Sequence, residues 1–263
     1  MPTERDTHAA IACADLSLAW TGSGRPAGAR VVEGVTFTLA RGGALSVSGP
    51  TGSGKSSLLA MLSGRADYAL HVDGGDAIVE GISVRRPGKA KRMLVAYTGY
   101  LAQGAGAHLD ARMTVGDIIA EPITSRDRKV NARALAVRTA ALLDEVELPL
   151  GAAGKFPYEL SAGMLQRVAL ARSLVLEPRI LLADDPLANL DIEVRHVVRD
   201  AILRRRLEHG MAAVIATNDT ELPTELDAAR IVLRQGHVVA QDGPDGELIW
   251  TPGSGPDHRV VAS

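Results

Sequence analysis

GPTGSGKSS, residues 49–57, stands between the apolar run ALSVS (44–48) and the helix-like KSSLLAML (55–62), and this strand, loop and helix succession decides the fold. Gly49, Gly54, Lys55 and Ser56 satisfy the pattern G-x-x-x-x-G-K-[ST], with Pro50, Thr51, Gly52 and Ser53 filling the loop and Ser57 following it. Glycines let a backbone wrap closely around phosphate oxygens, and a helix N-terminus adds partial positive charge where the anion sits. Lys55 is then suited to bridge the outer phosphates of a nucleotide and the Ser56 hydroxyl to hold Mg²⁺. The other reading of this string is a Gly-rich turn before a helix with no ligand.

A second string, ILLADD (180–185), is the companion such a loop requires. Four consecutive apolar residues suit a strand buried on both faces of a parallel sheet, and Asp184 and Asp185 emerge at the C-terminal end, where open α/β sheets place ligands. Asp184 suits Mg²⁺, directly or through water. Asp185 lies one residue nearer to where an attacking water would stand. The alternative is a helix-capping turn before Pro186.

LSAGM (160–164), with Gln166, Arg167 and the helix-like VALARSL (168–174), resembles the signature of the ATP-binding-cassette (ABC) ATPases, whose usual form is LSGGQ. The resemblance runs from about residue 10 to 243. It implies that Ser161, Ala162, Gly163 and Met164 close over ATP held by the phosphate loop of a second cassette; the residues alone also fit a capped helix beginning at Ser161. It further implies that Trp20 stacks on adenine, that Gln103 touches Mg²⁺ and the attacking water, and that PLANLD (186–191) is a cassette-to-cassette contact. Read without it, Trp20 is core or rim packing and Gln103 a solvated loop amide. QGAGAHLDARMTVGDIIAEP (103–122) is similar, from Arg112 to Pro122 without a gap, to oligopeptide, dipeptide and nickel importer ATPases. The His-Pro-Tyr-Thr motif and clustered cysteines of that group do not occur here.

Two positions depart from the family pattern. Asp185 replaces the catalytic glutamate, withdrawing the carboxylate by roughly 1.5 Å. Asn218, in ATND (216–219), replaces the switch histidine. Asparagine can hydrogen-bond a terminal phosphate but cannot carry charge or shuttle a proton. General acid-base assistance is worth about 10²–10⁴ in rate, so binding should survive better than hydrolysis.

The remaining sequence sets bounds. The chain has 263 residues, 46% hydrophobic, enough for one sizeable α/β core. A formal net charge of −2 gives no reason to expect nucleic acid as a partner. No apolar run of membrane-spanning length is present, the start MPTERDTHAA is unlike a signal peptide, and the single Cys13 cannot form an intrachain disulfide. Residues 11–20, 31–39 and 77–84 read as strands of an antiparallel layer, 21–28 (TGSGRPAG) as a loop, and 96–101 and 213–217 as further strands. Residues 131–146 read as a helix, and 231–234 with 237–240 as a hairpin turned at Gln235 and Gly236. Arg204, Arg205 and Arg206 read as a solvated helical face, and Arg85, Arg86, Lys89, Lys91 and Arg92 as an exposed basic loop. His196 and His209 have no metal-binding companions at useful spacing.

The expected fold is α/β: a P-loop NTPase (RecA-like) parallel sheet core, an antiparallel β layer and an inserted α-helical subdomain. One nucleotide-binding domain is expected over 1–251, with its core at 10–98 and 178–243, helices at about 99–177, and a mobile tail at 252–263. The resemblance implies an ATP-binding subunit of a membrane transporter of the peptide or nickel import type, with ATP and Mg²⁺ as cofactors. Its implied partners are a second cassette, non-identical if this site is slow, transmembrane permease subunits holding it at the cytoplasmic face of the membrane, and a substrate-binding protein. The alternative is a cassette that binds ATP, hydrolyses it poorly and completes its partner's site.

Overall fold

The computed structural model of the protein describes residues 9–21, 30–127, 129–242 and 247–250. All of the expected loop 21–28 except Thr21, and the whole tail from residue 252, lie outside them. In chain order the elements are β1 (Ala9–Trp20), β2 (Arg30–Ala40), β3 (Ala44–Ser48), α1 (Lys55–Leu62), β4 (Leu70–Val79), β5 (Ile82–Ser83), α2 (Lys91–Tyr97) and β6 (Thr98–Leu101). There follow α3 (Val115–Thr124), α4 (Ala132–Glu145), α5 (Ala162–Leu174), β7 (Ile180–Asp184), α6 (Arg195–His209), β8 (Ala212–Ala216), α7 (Glu221–Glu225), β9 (Ala229–Arg234), β10 (His237–Asp242) and β11 (Leu248–Trp250).

The strands form one path, β5-β4-β1-β2-β10-β9-β3-β8-β7-β6, with β11 added on β10. From β9 to β6 every pairing is parallel, whereas β1, β2, β4 and β5 pair antiparallel. The two halves meet at the single register point His237–Glu33. β9 and β10 form the expected hairpin, and Gln235 and Gly236 both take positive φ, the backbone a tight two-residue connection demands.

Strand alternation divides the core. On β7, Ile180 and Leu182 face one cluster and Leu181 and Ala183 the other; on β8, Val214 and Ile215 part the same way. The first cluster lies between the antiparallel strands, α1 and the sheet, and the second between the sheet and α3 to α6. At 8 residues α1 is marginal alone. Leu58, Leu59 and Leu62 are fully buried beneath it, each worth about 1.5–3 kcal/mol, so packing holds the helix. Asn131 caps α4 by accepting from the Arg133 and Ala134 N–H groups, setting the start of that expected helix one residue later.

Several expectations are corrected. β6 pairs with β7 in the core sheet, so the inserted helices begin after Leu101 rather than near residue 99, and the run 96–101 is helix up to Tyr97. The run 77–84 is a hairpin, because Glu80 and Gly81 turn with positive φ. Only Arg204 of the arginine triplet is exposed. Arg205 forms a two-pronged ion pair with Glu145 of α4 at 2.6 and 2.7 Å, and Arg206 donates to the Gly42 and Leu226 carbonyls.

Candidate nucleotide site

The phosphate-loop residues follow from local backbone demands. Gly49 has φ 140°, and a Cβ there would run into the Leu233 carbonyl oxygen; Gly54 has φ 104°, and a Cβ would stand 2.5 Å from the Val31 oxygen. Neither place admits a side chain. With Gly54 as its N-cap, α1 has no side-chain cap, so the N–H groups of its first turn remain available to an anion. The Lys55 ammonium arches back over the loop and donates to the carbonyls of Gly49 (2.5 Å) and Pro50 (3.1 Å).

These groups border a cavity of about 590 Å³. Trp20, Gln103, Asp184, Asp185, Asn218 and residues 51–57 all line it; Gly49 and Pro50 shape the loop beneath without facing it, and the four residues Ser161, Ala162, Gly163 and Met164 lie elsewhere. Trp20 is half-buried at the end of β1, and Gln103 is exposed just beyond β6. Sequence reasoning gave Arg195, Thr217 and Asp219 no place in the site, yet they line it too. Arg195 carried no motif signal, because a turn preceding α6 brings it there and an ion pair to Asp219 at 2.9 Å holds it.

Electrostatics joins the lysine to the acids. Asp184 is 3% exposed; burial pushes its carboxyl above the ordinary range, while a hydrogen bond from Ser56 and the Lys55 charge pull it down and Asp185 pushes it up. Burial likewise lowers Lys55, against the attraction of Asp184 and Asp185. A partly buried ammonium, two carboxylates, a hydroxyl and uncapped helix N–H groups suit a metal-bound polyphosphate, which brings both signs of charge. The Ser53 hydroxyl is also buried, with no partner among the described residues. Mg²⁺ takes few protein oxygens and completes its shell with water and phosphate. That habit suits Ser56, Asp184 and Gln103, in a chain where no cluster of His, Cys, Asp and Glu among the described residues could hold a metal by itself.

Asp185 stands where the chain leaves β7, at φ 51°, its N–H donating to the Ala216 carbonyl. Asn218 Oδ1 accepts the Gly49 N–H at 3.1 Å. Gln166 of α5, 1% exposed, donates to the carbonyl of Pro186, the residue after Asp185. At the start of α5, Ser161 accepts the Met164 N–H and caps the helix, Ser161 and Ala162 are exposed, and Gly163 packs against Asn189 and Leu190. Gln103 also lines a second groove, of about 810 Å³, bordered by Arg65, Glu121 and Arg172 where the helices meet the core.

Comparison with known proteins gives concordant findings. A family model described as ABC transporter matches residues 32–188. The sulfate/thiosulfate import ATP-binding protein CysA of Salmonella typhi is 34% identical over 223 residues, covering 84% of this chain and 58% of that protein. The oligopeptide transport ATP-binding protein OppD of Mycobacterium bovis (strain ATCC BAA-935 / AF2122/97) is 31% identical over 226 residues, covering 85% of this chain and 36% of its own length. The chain thus spans well under two thirds of these relatives. A solved dimeric post-hydrolysis state of the ATP-binding cassette MJ0796, bound to ADP and Pi, shares the fold with a TM-score of 0.78 at 22% identity, covering 88% of this chain and 97% of that one.

Proposed function

The chain belongs to the ABC transporter family, and from that premise we propose that it is the ATP-binding subunit of a membrane importer, converting nucleotide binding into motion of permease subunits. The observation that carries this reading is the gathering of Lys55, Ser56, Asp184 and Gln103 around one cavity at the uncapped start of α1. In it, Lys55 and the α1 N–H groups bind the phosphates, Ser56, Asp184 and Gln103 hold Mg²⁺, and Trp20 packs on the base. Asp185 accepts a proton from the attacking water. ATP with Mg²⁺, when bound, supplies the phosphoryl group whose transfer to water ends the closed state.

Ser161 and Gly163 serve the site of a second cassette, because Ser161 is exposed and Gly163 half-buried at a helix start and neither borders the chain's own cavity. Permease subunits dock in the second groove beside Gln103 and Glu121, since Gln103 borders both spaces. No helix among the described residues is long and apolar enough to cross a membrane, so attachment to the cytoplasmic face goes through those subunits. A peptide or nickel cargo, delivered by a substrate-binding protein, is supported by the run from Arg112 to Pro122 and by the oligopeptide relative; the sulfate relative marks other cargo classes within the same family. The second core cluster runs without a break from the sheet into α3 to α6, which supports treating the chain through residue 251 as one nucleotide-binding unit.

A second reading, a hydrolysis-impaired cassette paired with a non-identical partner, is favoured by the short carboxylate of Asp185 and by the uncharged Asn218. Calorimetric titration of the purified chain with Mg-ATP tests the common element. Binding that vanishes in Lys55→Ala supports the nucleotide reading, and unchanged affinity overturns it.

A further inference from the structure

We propose that the basic turn from Arg85 to Arg92 is a membrane contact, taking the anionic headgroups of phospholipids beside the docked permease subunits; this step rests on the permease reading above. No aspartate or glutamate occurs from Gly81 to Leu109, and that acid-free run contains Arg85, Arg86, Lys89, Lys91 and Arg92. All five are exposed. Among the described residues none of them pairs with a carboxylate, and of their side chains only that of Arg85 donates a hydrogen bond, to the Gly75 carbonyl. Asp67 and Asp76, the acids of the neighbouring segments, are taken up otherwise. Asp67 accepts the Ala69 N–H, and Asp76 accepts the Ala77 and Arg85 N–H groups and the Ser83 hydroxyl. The chain as a whole carries a net charge of −2, so any attraction to an anionic surface has to come from a local patch such as this.

Two apolar side chains stand among these cations. Tyr68 is 99% exposed with the Lys91 ammonium 5.7 Å from its ring centre, and Met93 is 51% exposed. Tyr68, Arg85 and Lys91 together border a shallow cleft of about 210 Å³. Long cationic stems around an exposed aromatic ring suit the boundary between headgroups and water, where the charges meet phosphate and the ring meets the first carbons. The place in the fold agrees. Val95, further along α2, lines the second groove with Thr98, and Arg65 donates to the carbonyls of both, so the patch and the groove are ends of one surface. Subunits that span a membrane, docked in that groove, bring the headgroups to its rim. A protein partner would need acids matched to fixed cations, whereas four of these five side chains are held by no hydrogen bond among the described residues and can follow a fluid surface.

Co-sedimentation of the purified full chain with vesicles is the measurement, using phosphatidylcholine alone and phosphatidylcholine mixed with phosphatidylglycerol. The expected result is binding to the mixed vesicles only, strong at about 50 mM salt and mostly lost at about 300 mM. Lys89→Gln with Arg92→Gln should weaken it about 25-fold, about fivefold per charge, with thermal unfolding unchanged to certify the fold. Lys89→Arg with Arg92→Lys should bind within about twofold of the parent. Arg133→Gln with Arg204→Gln, which removes two exposed charges elsewhere, should do the same. Absence of binding to either vesicle, equal binding to both, or equal loss in the two charge-removing pairs overturns the proposal. Displacement from the mixed vesicles by millimolar inorganic phosphate also overturns it, in favour of a discrete anion site. The vesicles contain no permease, so the two readings fail separately: a chain that binds mixed vesicles but no permease subunit overturns the reading of the groove, and one that binds permease subunits but no vesicle overturns the membrane contact.

Discussion

The Gly-bearing turns that open α1 and α5 are finished differently. At α1 the cap position is Gly54, no side chain satisfies the first turn, and a lysine and two carboxylates of the same chain face the space in front of it. At α5 the cap is Ser161, which satisfies the Met164 N–H itself, and its surroundings are exposed. One helix start is a complete anion site within the fold. The other is capped from within the chain, and under the proposed reading it would meet a ligand only across a second molecule.

The contrast breaks most sharply at Lys55. Lys55→Ala should weaken nucleotide binding by about 100-fold or more, since a charge-assisted contact in a partly buried site is lost. Cys13 supplies the fold control for this variant. Burial pushes its thiol up to about 12 and its Sγ donates to the Val35 carbonyl, so it should stay unreactive toward a thiol reagent at pH 8 while the chain is folded. Rapid labelling of the native chain would void the control and the core assignment together.

Next comes the effect expected on turnover. Restoring the longer carboxylate and the titratable side chain together, as Asp185→Glu with Asn218→His, should raise ATP hydrolysis in the assembled transporter. Asp185→Asn alone should matter little if a partner site does most of the work. Complete loss of turnover in that variant would make Asp185 a competent catalytic carboxylate.

Smaller again is a stability effect at Asp184. Its folded-state pKa is raised from 3.8, so ionising it within the fold costs stability, a cost absent below the unfolded pKa and growing as pH rises through the folded one. Asp184→Asn should therefore raise the melting temperature of the nucleotide-free chain at pH 7, the gain should shrink as pH falls toward about 4, and the Mg²⁺-dependent part of ATP affinity should disappear. A melting temperature that falls would mean that the hydrogen bond from Ser56 outweighs burial. The least effect on the isolated chain belongs to Ser161→Arg, with ATP affinity within about twofold of the parent but closure of the assembled pair blocked. Loss of binding in the monomer would place the signature in the chain's own pocket.

How far these regions were legible depends on how local their causes are. β3 and α1 lie where residues 44–48 and 55–62 placed them, because an apolar pentad, a glycine loop and leucines at helical spacing each act within a few residues. Asp184 and Asp185 were placed by the end of a buried strand, and Trp20, Gln103 and Asn218 by the family pattern; all five line the cavity, as does Arg195, which only the packing of α6 beside β8 delivers. Arg205 and Arg206 were misread for a related reason. Their partners, Glu145 and the carbonyls of Gly42 and Leu226, stand far away in sequence, and periodicity on one helix cannot reveal them. The hairpin inside 77–84 was missed although Gly81 marks its turn, because the apolar residues on both sides read as one continuous strand.

The buried contact from Gln166 to the Pro186 carbonyl bears on how such a chain can diverge. Its acceptor is main chain, so this joint between α5 and the turn after β7 uses no atom of the side chain at residue 185. The carboxylate at residue 185 and the helix start at Ser161 are thus held by separate contacts, and a change in the length of the one need not disturb the other.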